Sequence, residues 1–160
     1  PADAEDREYF VETVLHEYFH YLSLNDTQVI YTSEQTLDTY NEPGMVTLAD
    51  SYLNDFYQEF WTGYLDDCLA CDDTYNFFLR HCDDFITPYA STDPSEDICE
   101  SFAFFVLRPR DFRADEDVWS RKLDFFYQYP QLVAFREEVR GNLGLAWGEY
   151  FESRQEADAA

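Results

Sequence analysis

His16-Glu17-Tyr18-Phe19-His20 places two of the chain's three histidines four residues apart, with a glutamate directly after the first. Four residues advance a helix by about 6 Å and 400°, so both imidazoles leave one face about 40° apart. Two imidazoles so placed can share one tetrahedral Zn²⁺ at about 2.0–2.1 Å. Glu17 follows the first ligand and does not ligate; its carboxylate is placed to act as general base on the water that the zinc activates. The spacing H-E-x-x-H on a helix is the mark of a zinc peptidase helix. Histidines on a solvated face would be the plainer explanation, but the rest of this helix is strongly apolar and His81 is the only other histidine.

A catalytic zinc needs a third protein ligand and an open position. The best source is the segment from Tyr89 to Phe102, where Glu96 and Glu100 stand four residues apart on one helical face. One carboxylate can ligate zinc while the other accepts the free ring N–H of a ligating histidine. Spacing alone leaves open which does which. Asp97 points about 100° away from Glu96 and is expected to matter less to the metal.

H-E-x-x-H followed downstream by E-x-x-x-E resembles the gluzincin zinc metallopeptidases. Tyr89-x-x-Thr92-x-x-x-Glu96-x-x-x-Glu100-x-Phe102 looks specifically like the catalytic domain of anthrax lethal factor and related zinc-binding metallopeptidases. That resemblance implies Glu96 as the zinc ligand, Glu100 as its supporting carboxylate and Tyr89 as a phenol that assists the reaction. It also implies a zincin-like domain. His16 stands so near the first residue that the strands preceding the active-site helix in that family are expected to be missing. The expected function is zinc-dependent hydrolysis of peptide bonds, by an endopeptidase rather than an exopeptidase, with one catalytic Zn²⁺. The alternative is an inactive zinc-binding or interaction module that keeps the metal site.

The elements that must carry these groups read as mainly helical. A helix is expected over about Asp6 to Leu24, with Phe10, Val11, Val14, Leu15, Tyr18, Phe19 and Leu22 at three- and four-residue spacing. Gln28 to Thr32 reads as a short strand, and Asn41 to Gly44 as a turn. Thr47 is the expected N-cap of a helix reaching about Leu65. A short helix is expected around Tyr75 to Arg80. Asp93-Pro94 supplies an N-cap and a first-turn proline for a helix that ends near Leu107, before Arg108-Pro109. Two more helices are expected, Glu116 to Tyr129 and Gln131 to Arg140, the latter closed by Gly141. The fold class is mainly α with at most a small β element. The 160 residues are expected to form one domain with a frayed tail from about Glu152.

Composition bounds the partners. Against 34 acidic residues stand 10 basic ones, for a net charge of −24. That balance argues against nucleic acid and anionic membrane, which need Lys and Arg to neutralise phosphate. It leaves a peptide or protein substrate as the expected partner. The longest apolar run, Phe102 to Leu107, is far short of a membrane span of about 20 residues. No signal peptide is visible, so it is absent or already removed. Lys122 is the only lysine, and so acidic a surface suits an extracellular or cell-envelope setting more than the cytoplasm. Cys68, Cys71 and Cys82 fall close together with His81, and read as a loop disulfide, a second metal site or reduced thiols.

Overall fold

Asp93 begins the helix around which the chain is built. Its carboxylate accepts from the backbone N–H groups of Ser95 and Glu96 at 2.8 and 2.9 Å, and Pro94 occupies the first turn. The computed structural model describes residues 4–35, 38–71, 73–110 and 117–145. In chain order the helices are α1 (Ala4–Ser23), α2 (Tyr52–Phe60), α3 (Leu65–Leu69), α4 (Thr74–Arg80), α5 (Pro94–Leu107), α6 (Val118–Phe125) and α7 (Pro130–Leu143). A 3-10 turn, Phe126–Gln128, joins the last two. Three short strands, β1 (Val29–Tyr31), β2 (Asn41–Glu42) and β3 (Met45–Thr47), form an antiparallel sheet in the order β1-β3-β2. The architecture is mainly helical with a small β element, as the sequence pattern implied. No helix among the described residues is long and apolar enough to cross a membrane.

α5 is enclosed. Every residue of it is buried except Glu96 and Glu100, which are intermediate. Phe19 of α1 stacks on Phe102 of α5 at 4.3 Å between ring centroids, and Phe126 meets both rings edge-on at 5.5 Å. Such contacts bring burial of large apolar surface and a preferred ring geometry. The far end of α5 is closed by α7. Arg136 donates to the carbonyls of Phe105 and Arg108, each at 2.8 Å, and Arg140 donates to those of Val106 and Leu107. Cations at a helix C-terminus satisfy its free carbonyls and its dipole together.

Several boundaries differ from the sequence expectation. Asn41 to Gly44 is more than a turn: Asn41–Glu42 is β2, and Pro43-Gly44 makes a two-residue connection into β3. Gly44 has φ +90°, which suits the glycine position of a type II turn after proline. Thr47 does not cap a helix. Its N–H and hydroxyl both go to the carbonyl of Tyr40, ending β3, and Ser51 caps α2 instead. The helix expected to reach Leu65 is interrupted after Phe60, where the buried Trp61 turns its indole N–H to Asp97 at 2.7 Å. Gly141 lies within α7; Gly144, at φ +67°, ends it, with Leu145 N–H bonded to the Arg140 carbonyl. The expected start at Glu116 and the tail from Glu152 lie outside the described residues.

Asp97, adjacent to Glu96, holds a different part of the molecule. Its carboxylate meets Lys122 Nζ at 2.7 Å, the indole of Trp61 at 2.7 Å and the hydroxyl of Ser101 at 3.4 Å. Lys122 also donates to the Asp84 carbonyl at 2.7 Å and sits 3.8 Å from the Phe85 ring centroid. Burial pushes the Asp97 carboxyl up and the Lys122 ammonium down, and each charge resists the other's neutralisation. Lys122→Met is expected to cost about 3–5 kcal/mol, because it strands a buried carboxylate. Asp97→Asn combined with Lys122→Met should cost much less than Lys122→Met alone. Urea denaturation of both variants checks this, and equal losses would show that the pair is not coupled.

Candidate metal centre

α1 and α5 pack along one another, and their facing sides carry the chemistry. His16 is buried and His20 half-buried on α1. His16 Nδ1 lies 2.8 Å from Glu100 Oε1, so in the neutral ring the N–H goes to that carboxylate and Nε2 carries the lone pair. His16 Nε2 and His20 Nε2 are 3.1 Å apart. Glu96 Oε2 is 3.0 Å from the first and 3.4 Å from the second. Among the described residues His20 Nδ1 is a buried atom without a hydrogen-bond partner, and the buried Glu96 Oε2 meets the two imidazole nitrogens.

Three acceptor-capable atoms therefore close a triangle with edges of 3.0 to 3.4 Å. Bonds of about 2.0–2.1 Å in a tetrahedron put ligand atoms about 3.3–3.4 Å apart, so the triangle needs only slight opening to hold Zn²⁺. The donor set, two imidazoles and one carboxylate, leaves the fourth position open, as a catalytic zinc site does. Cys99 Sγ is the next group: it, His16 and His20 offer atoms all within 4.8 Å of one another. Glu96 Oε2 lies closer to the same two rings, at 3.0 and 3.4 Å. Cys99 is fully buried, and burial pushes its thiol well above the ordinary range.

The surroundings explain the charges. Burial alone pulls the His16 pKa down, but hydrogen bonds and charge from Glu100 and Glu96 reverse this and raise it to about 9. The Glu96 carboxyl is held far below its usual range by hydrogen bonds from His16 and His20. Glu42 and Asp93 lie near enough to act electrostatically on one another, and burial together with neighbouring acids raises both. A divalent cation would relieve that repulsion.

Glu100 and Glu96 favour a proton on His16, and a metal would compete with that proton for the same ring. With the folded pKa raised to about 9, the proton is bound below that pH and must leave for the metal to bind. Zinc affinity is expected to rise about tenfold per pH unit between pH 7 and 9 and to flatten above. Competition against a chromogenic chelator at several pH values measures this, and a flat profile over that window would refute it.

Glu17, the expected base, is exposed. It lies about 60° from His20 around the helix axis, and its charge reaches Cys99 of α5. Tyr89 is 52% exposed, so it stands at the mouth of the site and not in the core. Its ring centroid is 5.8 Å from that of His16, and its hydroxyl interacts with Glu96. Burial first, then the Glu96 charge, pushes the phenol up to about 12, so it remains a donor at neutral pH.

The residues singled out in the sequence thus divide. His16, His20, Glu96, Glu100 and Tyr89 come together, with Glu17 at the edge. Cys68, Cys71 and Cys82 do not form a disulfide: all are free thiols with separate surroundings. Cys68 is buried against the carbonyls of Ser91 and Thr92 at 3.6 and 3.5 Å, Cys71 receives Arg80, and Cys82 is exposed. They do not join His81 in a metal-ligating group among the described residues. His81 instead lies 3.3 Å from Asp67 and 3.5 Å from Asp84. Two residues went unnoticed in the sequence. Cys99 stands three positions after Glu96, a spacing that shares its helical face; Thr87 is bonded to Glu100, and no spacing rule points to it. No family model, curated protein or solved structure matches the chain, so its functional reading stands on these residues alone.

Proposed function

We propose that the chain is a zinc-dependent peptide-bond hydrolase, most simply an endopeptidase. One observation carries this reading: His16, His20 and Glu96 converge three acceptor atoms within 3.0–3.4 Å of one another, with Glu17 next in sequence to the first. His16, His20 and Glu96 would hold the ion, which supplies Lewis acidity toward a carbonyl and toward water. Glu17 takes the proton of the attacking water and delivers it to the leaving amine. Tyr89 offers its O–H to the oxygen that becomes negative as the carbonyl is attacked. Glu100 fixes the His16 tautomer throughout. The acidic surface favours neutral or basic peptides through long-range attraction that salt screens.

Protein prepared without added zinc should carry about one equivalent by metal analysis. It should cleave members of a fluorogenic peptide library, and a chelator should abolish cleavage. Protein without metal refutes the site; stoichiometric metal without cleavage leaves a zinc-binding module in place of an enzyme.

Tyr89→Phe is expected to lower kcat about 10²–10³-fold while KM and zinc content stay near normal, because the contact forms chiefly in the transition state. A near-normal kcat in that variant would remove the phenol from the mechanism.

A further inference from the structure

We propose that Thr87 is a positioning residue whose single hydroxyl holds both the metal ligand His16 and the turn that presents Tyr89. The inference rests on the metallopeptidase reading above. Thr87 Oγ1 lies 2.8 Å from Glu100 Oε2 and accepts the Ala90 backbone N–H at 3.0 Å. A hydroxyl has one proton. Since a carboxylate can only accept, that proton goes to Glu100, and the Ala90 N–H takes a lone pair on the same oxygen. The direction of the chain is therefore fixed: Ala90 N–H to Thr87, Thr87 O–H to Glu100, and Glu100 to the ring N–H of His16 through its other oxygen at 2.8 Å.

This has two consequences. Both oxygens of Glu100 are engaged, so the carboxylate is held against His16 Nδ1, and His16 Nε2 stays turned toward His20 and Glu96. The same hydroxyl closes the turn from Thr87 to Ala90, in which Tyr89 sits. Its neighbours tighten that turn: Ser91 donates to the Pro88 carbonyl at 2.8 Å, and Thr92 donates to the Tyr89 carbonyl through its N–H at 3.1 Å and its hydroxyl at 2.8 Å. Removing the Thr87 hydroxyl therefore loosens a metal ligand and the phenol together, while no atom that touches substrate is changed.

The test compares Thr87→Val, which keeps the branched shape and loses the hydroxyl, with Thr87→Ser, which keeps the hydroxyl. Zinc affinity is read by chelator competition and activity by kcat and KM on a cleaved peptide. Thr87→Val should weaken zinc binding about 10- to 100-fold, the usual loss when the partner of a ligating histidine is disturbed. At saturating zinc it should still show a reduced kcat with KM little changed, and Thr87→Ser should restore both. Thr87→Ala reads the same loss should the valine variant not fold. A wild-type protein that binds no zinc overturns the metal site itself. A wild type that binds zinc, beside a Thr87→Val that binds it equally and turns over normally, overturns the role of Thr87 alone. A serine variant as impaired as the valine one also overturns it, since the γ-methyl and not the hydroxyl would then matter.

Discussion

Glu17→Gln is expected to retain zinc and fold yet lose peptide hydrolysis by about three to five orders of magnitude. The amide is nearly isosteric with the carboxylate but cannot take a proton at neutral pH, and general-base and nucleophile-activating groups account for losses of that size. Glu17 is exposed and makes none of the contacts that close the ligand triangle, so neither metal content nor thermal stability should move much. By contrast, His16→Ala or His20→Ala should lose the metal itself. The comparison is made by metal analysis, thermal melting and single-turnover cleavage on the same preparations. A Glu17→Gln protein with most of its activity would dismiss the proposed proton transfer, whatever the metal content.

The second large effect separates the two glutamates of α5. Glu96 Oε2 faces the Nε2 atoms of both imidazoles, at 3.0 and 3.4 Å, whereas Glu100 Oε1 faces His16 Nδ1 on the far side of that ring. Glu96→Ala should therefore abolish tight zinc binding, because it leaves two protein ligands in place of three. Glu100→Ala should weaken affinity only about 10- to 100-fold, through loss of ring orientation and basicity. Chelator competition on both variants decides the matter. The assignment reverses if Glu100→Ala releases the metal and Glu96→Ala keeps it.

The shared face of His16 and His20 was legible from spacing because a helix is a local structure. Backbone hydrogen bonds between near neighbours fix the angle between His16 and His20, whatever the rest of the chain does. The start of α5 was legible for the same reason: Asp93 and Pro94 act within one turn. Where capping partners compete, local rules failed. Thr47 had the sequence of an N-cap, but the Tyr40 carbonyl claims its donors, so β3 forms and Ser51 caps α2. Gly141 resembled a stop, yet α7 runs on to Leu143, and its arginines reach the end of α5 from within that helix.

The cysteines teach a similar lesson. Cys68, Cys71 and Cys82 are near in sequence, but Cys68 lies in α3, Cys71 follows it and Cys82 follows α4, and closeness along the chain did not become a shared site. Asp97 was expected to point away from Glu96, and its carboxylate meets Lys122 and Trp61. That the same rotation delivers it to the chain's only lysine, across 25 positions, no local rule could say.

By itself, then, the sequence determined a mainly helical acidic chain, a helix bearing His16, Glu17 and His20 on adjoining faces, and a second helix offering Glu96 and Glu100 one turn apart. It did not determine which glutamate meets which nitrogen; residue spacing left both assignments open, and only a family resemblance favoured Glu96. The tertiary structure decided that, because the choice depends on how far α5 is rotated and slid against α1. That rotation is set by contacts distant in sequence: the Phe19–Phe102 stack, the Asp97–Lys122 pair, and the arginines of α7 at the end of α5. Thr87 belongs to the same class, since its hydroxyl acquires a role only when the loop before α5 lies beside Glu100. Periodicity along one helix gives the direction of a side chain; the packing between helices gives what it meets.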